Sequence, residues 1–271
     1  MAKWGLSKSS WQKLRHQFGL SAGVYVCSHT PPAKIAQLAK TLRPVATDTK
    51  LIRIGPVADG GYLLPDDLEG IAALFSPGVG PESGFDVAFA DRGIPVYMAD
   101  ATVVGPQQPH DLLTFERKNV GAFDDPYTMT MDTWVKRAGL SAQEDLVLQM
   151  DIESAEYLVI PTITEALLCR FRIIVVEIHR LHQLWDPFFF RIASTMFEKL
   201  LRNHYCVHIH PNNNGGVYKF AGVDIPKAME FTFIRKDRVN TTGFCSEFPH
   251  PLDSHNVDKA PVVLPKIWYG N

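Results

Sequence analysis

Between Leu146 and Glu156 an apolar run, LVLQM, empties into a group of carboxylates, Asp151, Glu153 and Glu156. Charges delivered to the end of a buried strand are costly unless they are paired, hydrogen-bonded or bound to a ligand. In an open α/β sheet, the carboxyl ends of the strands are also where ligands sit. Acidic residues favour helix N-termini too, which would account for Glu156 and in part for Glu153, but less well for Asp151. Two later segments repeat the pattern. IIVVEIH sets Glu177 and His179 two residues apart on one strand face, and YCVHIH does the same with His208 and His210. Two kinds of chemistry use such groups. An imidazole or carboxylate can take a proton from a hydroxyl nucleophile, and His179, His208, His210 and Asp151 are the candidates. Alternatively, Asp, Glu and His can hold a divalent ion that lowers the hydroxyl pKa and orients it. No fixed metal motif such as HExxH is present, so the residues leave both open.

A second group of residues has the character of a nucleotide site. Phe75-Ser76-Pro77-Gly78-Val79-Gly80 closes an apolar strand with a glycine turn, whose free backbone N–H groups can face a ligand closely. IPVYMAD then ends in Asp100, placed to accept hydrogen bonds from ribose hydroxyls. Together they indicate an adenosine-type ligand. Upstream, Arg53-Ile54-Gly55 and Asp59-Gly60-Gly61-Tyr62 fit either a hairpin turn or a loop that closes on that ligand. There is no GxxxxGK[ST] segment, which argues against a P-loop nucleoside triphosphatase. An NAD-dependent oxidoreductase shares the glycine turn and the ribose carboxylate and stays an alternative, as does a non-catalytic nucleotide-binding module.

The elements that must position these residues are legible as apolar runs. They recur near Ala72–Phe75, Pro95–Ala99, Leu112–Phe115, Leu146–Met150, Ile173–Ile178, Tyr205–Ile209 and Phe231–Ile234, with helical patterns between several of them. Strands alternating with helices predict an α/β fold, a Rossmann-like, mostly parallel seven-stranded sheet with helices on both faces. The last two strands are close in sequence and suggest a hairpin at the sheet edge. Asp186-Pro187 is an N-cap and N1 pair for a helix burying Phe189, Ile192, Met196 and Leu200. The aromatic stretch Trp185–Phe190 is then helix start plus core, or a platform for a sugar. Residues 1–45 form an N-terminal helical extension, with one helix over Trp11–Phe18 and a firmer one after Pro31-Pro32 through Ile35, Leu38 and Leu42. Residues 46–237 form the core, and 238–271 a C-terminal tail laid over it.

Composition narrows the partners. Hydrophobic residues make up 46% of the 271 and charged residues 21%, enough to bury a core, while a net charge of −2 gives no electrostatic case for nucleic acid or anionic membrane. No apolar run approaches the ~20 residues of a membrane span. The first residues lack the apolar centre of a signal peptide, so the expectation is a cytoplasmic protein. Cys27, Cys169, Cys206 and Cys245 form no CxxC pair and are expected to be reduced thiols. A homo-oligomer is compatible with the sequence.

The motifs together resemble the FkbM-like class I S-adenosylmethionine-dependent methyltransferases. LIRIG...DGGYLLPDDLEG, FSPGVG, VYMAD, TMDTW, QMDIESAEYLVI, IIVVEIH and VHIHPNN...FTFIRKD carry the likeness, in family order, from Leu51 to about Asp237. QMDIESAEYLVI is the most specific and is similar to the family's K-[IV]-D-[IV]-E-G-A-E segment, with Ser154 where the family usually has glycine. FSPGVG lacks the leading acidic residue of the family's E/DxGxGxG turn. The resemblance implies a sheet whose last strand is antiparallel. It implies that Ser76, Gly78 and Gly80 line the S-adenosylmethionine pocket, that Asp100 holds the ribose, and that Asp59, Gly60, Gly61, Tyr62 and Asp151 line the same cleft. It also implies O-methylation, often of a sugar hydroxyl in a polysaccharide, glycolipid or glycoside. Some sugar O-methyltransferases of similar fold use a divalent ion such as Mg or Mn. Its ligands here would be Asp151 with Glu177 or His179, and His210 as a third. The expectation is therefore a carbohydrate O-methyltransferase, with His179 as base and Asp151 and Glu153 as orienting groups or metal ligands.

Overall fold

The seven apolar runs are the seven strands of one sheet in the computed structural model. That structure describes residues 27–80 and 82–270 and, before them, 9, 10, 13, 14, 17, 21 and 23. The strands are β1 (Ile71–Pro77), β2 (Val96–Ala99), β3 (Leu113–Glu116), β4 (Asp145–Met150), β5 (Phe171–Ile178), β6 (His204–Pro211) and β7 (Met229–Arg235). Their order across the sheet is β6-β7-β5-β4-β1-β2-β3. The strands from β5 through β4, β1 and β2 to β3 pair in parallel. β7 alone is reversed and pairs antiparallel with both of its neighbours.

The hairpin expected at the sheet edge is formed by β6 and β7, which pair antiparallel. β7 slots between β5 and β6, so β6 is the edge strand. The intervening residues fold as a small hairpin of their own, Val217–Phe220 against Val223–Pro226.

Helices cover both faces. They are α1 (Pro32–Thr41), α2 (Gly84–Ala90), α3 (Met131–Arg137), α4 (Glu156–Thr162), α5 (Glu165–Leu168) and α6 (Pro187–Asn203). Each of the eight residues of β5 is buried, as a strand covered on both sides requires. Asp186 caps α6 by accepting from the N–H groups of Phe188 and Phe189 at 2.8 Å, and Pro187 occupies the first helical position. One face packs Trp134, Met196, Phe197 and Leu200 against the sheet. The other packs Phe85 and Phe89 of α2 and a hairpin, Leu51–Ile54 with Tyr62–Pro65, against Val147, Val175 and Ile234. Thr232 Oγ1 donates to Leu63 O at 2.6 Å and ties that hairpin to β7.

The segments on either side of the core meet each other. α1 buries Ile35, Leu38 and Ala39 and contacts the short turn Lys266–Trp268, whose tryptophan is buried in the same core. Val45–Thr47 pairs antiparallel with Thr241–Phe244. The helix expected over Trp11–Phe18 has both its ends outside the described residues. Among the described residues no cysteine is disulfide-bonded, and no helix is long and apolar enough to cross a membrane.

This order fixes where a ligand can sit. β2 and β3 run to one side of β1, whereas β4 starts again on the other, so the chain changes direction between β1 and β4. The crevice outside the carboxyl ends at such a switch point is the general ligand site of open α/β sheets. The opposite end is closed by ion pairs that a buried arginine makes with two half-buried carboxylates. Arg172, 5% exposed, bonds Asp145 at 2.9 Å and Asp67 at 3.2 Å.

Candidate functional site

A cleft of about 660 Å³ opens at this switch point. Ser76, Gly78, Gly80, Asp100, Asp151, Asp59 and Gly60 all line it, together with Tyr62. The segment from Gly55 to Gly61 is both of the things its sequence allowed, since it joins a hairpin and also closes one side of the cleft. Gly61 does not line it. A Cβ there would stand 1.9 Å from Pro56 O, so this glycine serves the fold of the loop.

Gly78 is needed for a different reason. Its φ is +85°, and a Cβ would fall 1.6 Å from the Asp151 carbonyl oxygen. The exits of β1 and β4 touch there, with Asp151 N donating to Pro77 O at 3.2 Å. Asp100 is held by one oxygen, Oδ1, which accepts from Thr102 N and Thr102 Oγ1 at 2.6 Å each. Its Oδ2 has only a long contact with Gly80 N at 3.4 Å. Deeper in, Ser76 Oγ donates to Gln149 Oε1 at 2.8 Å, and Gln149 Nε2 donates to Tyr62 Oη at 3.4 Å.

The turn after β4 is strained. Glu153 (φ +54°) and Ser154 (φ +85°) are consecutive L-residues in the left-handed region, where Cβ crowds the backbone. Glu156, fully buried, fastens this turn by accepting from Ile152 N at 3.1 Å. Ser154→Gly is therefore expected to raise stability by about 0.5–1 kcal/mol, the relief of strain exceeding the added freedom of the unfolded chain. Urea midpoints of the two proteins check this, and an unchanged or lower midpoint would show that the serine side chain stabilises the turn.

The same turn delivers its carboxylates to His179. The imidazole Nε2 stands 3.8 Å from Asp151, 3.7 Å from Glu153 and 3.6 Å from Glu177, while Nδ1 is 3.3 Å from Glu156. Tyr157 Oη donates to His179 O at 2.7 Å and fixes the backbone behind it. Burial alone would pull the imidazolium down. The Glu156 hydrogen bond and the charges of Glu177 and Asp151 outweigh it and hold His179 up at about 9. Desolvation pushes Asp151 up to about 7, against the pull of His179 and with the repulsion of Glu156 and Glu153. Burial, and then the charges of Asp151 and Glu230, also push Glu177 well up. The cluster thus retains protons that isolated groups would lose. One ligand atom each from Asp151, Glu177 and His179 lies within 4.8 Å of the others, and buried Asp151 Oδ1 has no hydrogen-bond partner among the described residues. Two carboxylate oxygens and an imidazole nitrogen suit a divalent cation.

His210 lies elsewhere. Glu177 opposes Glu230 on β7, and Glu230 in turn opposes His210 on β6. At about 4.8 Å per strand, the inserted β7 puts roughly 10 Å between β5 and β6, so His210 does not join the group. It pairs instead with Asp253 of the tail at 3.5 Å, and His208 reaches the other oxygen of the same carboxylate at 3.0 Å. Asn256, three residues on, donates to Glu230 at 2.7 Å and to Asp59 at 3.1 Å. The tail therefore braces the loop that closes the cleft.

Asp86 was not among the expected site residues. It sits on α2 beside Phe85 and Phe89, lines the cleft, has an Oδ1 with no partner among the described residues, and is pushed by burial up to about 7. An aspartate on the buried, phenylalanine-rich face of a short helix is the sequence signal that could have found it.

Taken together, these features define an α/β protein with a ligand-sized cleft at the switch point of a seven-stranded sheet and a carboxylate–imidazole cluster at its rim. No family model matches the chain, and no curated protein matches it in sequence.

Proposed function

We propose that the chain is an S-adenosylmethionine-dependent O-methyltransferase acting on a carbohydrate hydroxyl, of the FkbM-like kind its motifs resemble. The observation that carries this reading is the charge of the cleft. Asp59, Glu82, Asp100 and Glu153 line it, with Asp86 and Asp151 beside them as carboxyls that keep a proton up to about 7, and no Lys, Arg or His does among the described residues. A lining of that sign favours a cationic ligand and disfavours the pyrophosphate of a nicotinamide dinucleotide. S-adenosylmethionine, when bound, supplies a methyl group on a cationic sulfonium. Asp100 would accept from its ribose hydroxyls, and the turn from Ser76 to Gly80 would approach it with bare backbone.

What remains for the protein is alignment and the removal of one proton. Alignment of reacting groups can be worth about 7–11 kcal/mol, so the base need not dominate. Asp151 and Glu177 would hold a divalent ion, which would supply positive charge that makes an acceptor hydroxyl more acidic and would leave the His179 imidazole free to act as base. His179 can take the hydroxyl proton only where the surrounding carboxylates are neutralised, because their charge otherwise keeps it protonated. Glu153, exposed at the rim, orients the acceptor side of this group.

Thermal unfolding with S-adenosylhomocysteine and with NAD, each with magnesium and with chelator, tests the assignment. A ligand at a hundredfold its Kd stabilises by about 2.7 kcal/mol, which moves the midpoint by several degrees. A shift with S-adenosylhomocysteine alone is expected, and a shift with NAD instead would overturn the reading. Asp100→Ala should weaken S-adenosylhomocysteine at least tenfold, about 1.4 kcal/mol, by calorimetric titration. An unchanged Kd would remove Asp100 from the ribose site.

A further inference from the structure

Past His179 along the chain, the charge reverses sign. Arg180 follows the histidine directly, in a left-handed conformation (φ +54°) that turns the chain out of β5 into the short helix Leu181–Trp185. An L-residue is held in that region only when its surroundings enforce it, and such residues gather at functional sites. Leu181 N donates to Lys227 O at 3.0 Å, which brings Lys227, two residues before β7, alongside. His182 follows in that short helix, and its ring centroid is 6.0 Å from that of Tyr218 on the small hairpin. After burial, the charges of Lys227 and Arg180 are what depress the His182 imidazolium, and no carboxylate offsets them. The side chains of Arg180 and Lys227 are exposed, and no carboxylate among the described residues pairs with either. Beside them Tyr218 and Phe220 expose over 40% of their surface, with Phe220 wedged edge-on against Trp185 at 4.7 Å.

We propose that the methyl acceptor is an acidic carbohydrate, whose carboxylate or phosphate is taken by Arg180, His182 and Lys227 while its ring rests on Tyr218 and Phe220. This rests on the methyltransferase reading for the word acceptor, but the anion site stands on its own geometry. Cations left near one another without a counter-charge repel, and an anionic ligand relieves that repulsion. Arginine supplies a planar fork for carboxylate or phosphate oxygens, and lysine a point charge. An aromatic pair beside them offers the apolar face that a sugar ring needs.

Calorimetric titration of glucuronate, glucose 6-phosphate and glucose into the protein, and into Arg180→Asn with Lys227→Ala, tests this without turnover. Asparagine tolerates the left-handed backbone, so the double variant keeps the turn and loses the charge. At least one acidic sugar is expected to bind ten times or more tighter than glucose, with the preference lost in the double variant and weakened by salt. The stronger of the two acids tells carboxylate from phosphate. Equal binding of all three sugars, failure of both acids to bind, or acid binding unchanged in the variant would overturn the proposal. If acidic sugars bind as expected and S-adenosylhomocysteine does not, the methyltransferase reading falls and the anion site remains. The converse result removes the anion site alone.

Discussion

Replacing His179 by alanine is expected to lower methyl transfer by about 10²–10⁴-fold, the usual span for a group that handles a proton in the transition state. The affinity for S-adenosylhomocysteine should stay the same. His179 is absent from the lining of the cleft but meets four carboxylates at its rim, so its loss touches the proton and the cation rather than the nucleotide. The pH dependence carries a sign. Without a cation the imidazole stays protonated up to about 9, and Asp151 holds a proton up to about 7. Activity limited by these protons rises with pH, and a divalent ion that displaces them moves the rise to lower pH. Single-turnover rates between pH 6 and 10, with magnesium and with chelator, measure both effects. His179→Gln keeps the side-chain volume closer and guards against a merely structural loss. Turnover retained by both variants across that range would remove His179 from the reaction.

Asp253→Ala is expected to cost about 3–5 kcal/mol of stability, because it strands one or two imidazoles that share a buried carboxylate. Burial alone pushes the Asp253 carboxyl up. The hydrogen bonds and charges of His208 and His210 more than offset this and hold it far below the ordinary carboxylate range. His210 is depressed by burial but raised on balance by Asp253 and by the charge of Glu230. A raised imidazole contributes fully below its unfolded pKa, about 6.5, and loses that contribution as pH rises through the folded value. A lowered carboxyl contributes above about 3.9 and is lost only as pH falls through its depressed value. The tail is therefore pinned hardest between about pH 4 and 6.5. The difference in urea stability between the protein and Asp253→Ala should be largest in that window and shrink above neutrality. A difference that grows with pH would mean that the pair is not ionic.

Much of this was legible before any coordinates, and the reasons are local. Continuous apolar runs such as IIVVEI, short and rich in β-branched residues, fit strands buried on both faces, and Asp186-Pro187 before a helical pattern fits an N-cap and first helical position. Asp100 and the glycine turn were found because strand, turn and carboxylate lie within one βαβ unit. The position of His210 was not legible, because its distance from Glu177 depends on which strand lies between them. Nothing in YCVHIH records that a later strand enters there. Asp253 and Asn256 were hidden for a related reason. A segment rich in Pro, His and Asn has no periodicity, and its part in the site arises from pairing with strands far away in sequence. The hairpin from Val217 to Pro226 was missed because one of its strands, VYKF, is largely exposed and lacks alternating burial.

The reversed strand has a consequence for how the chain acquires its structure. β5 and β6 do not touch each other as partners, and each is paired along that side only by β7. Until residues 229–235 have been synthesised, a nascent chain carries a five-stranded sheet with β5 as an open edge and β6 without a place in it. Open edges of long apolar strands recruit other chains. A polypeptide stopped before Met229 should therefore aggregate rather than fold into a smaller sheet, and the final step of folding is the closing of a gap one strand wide.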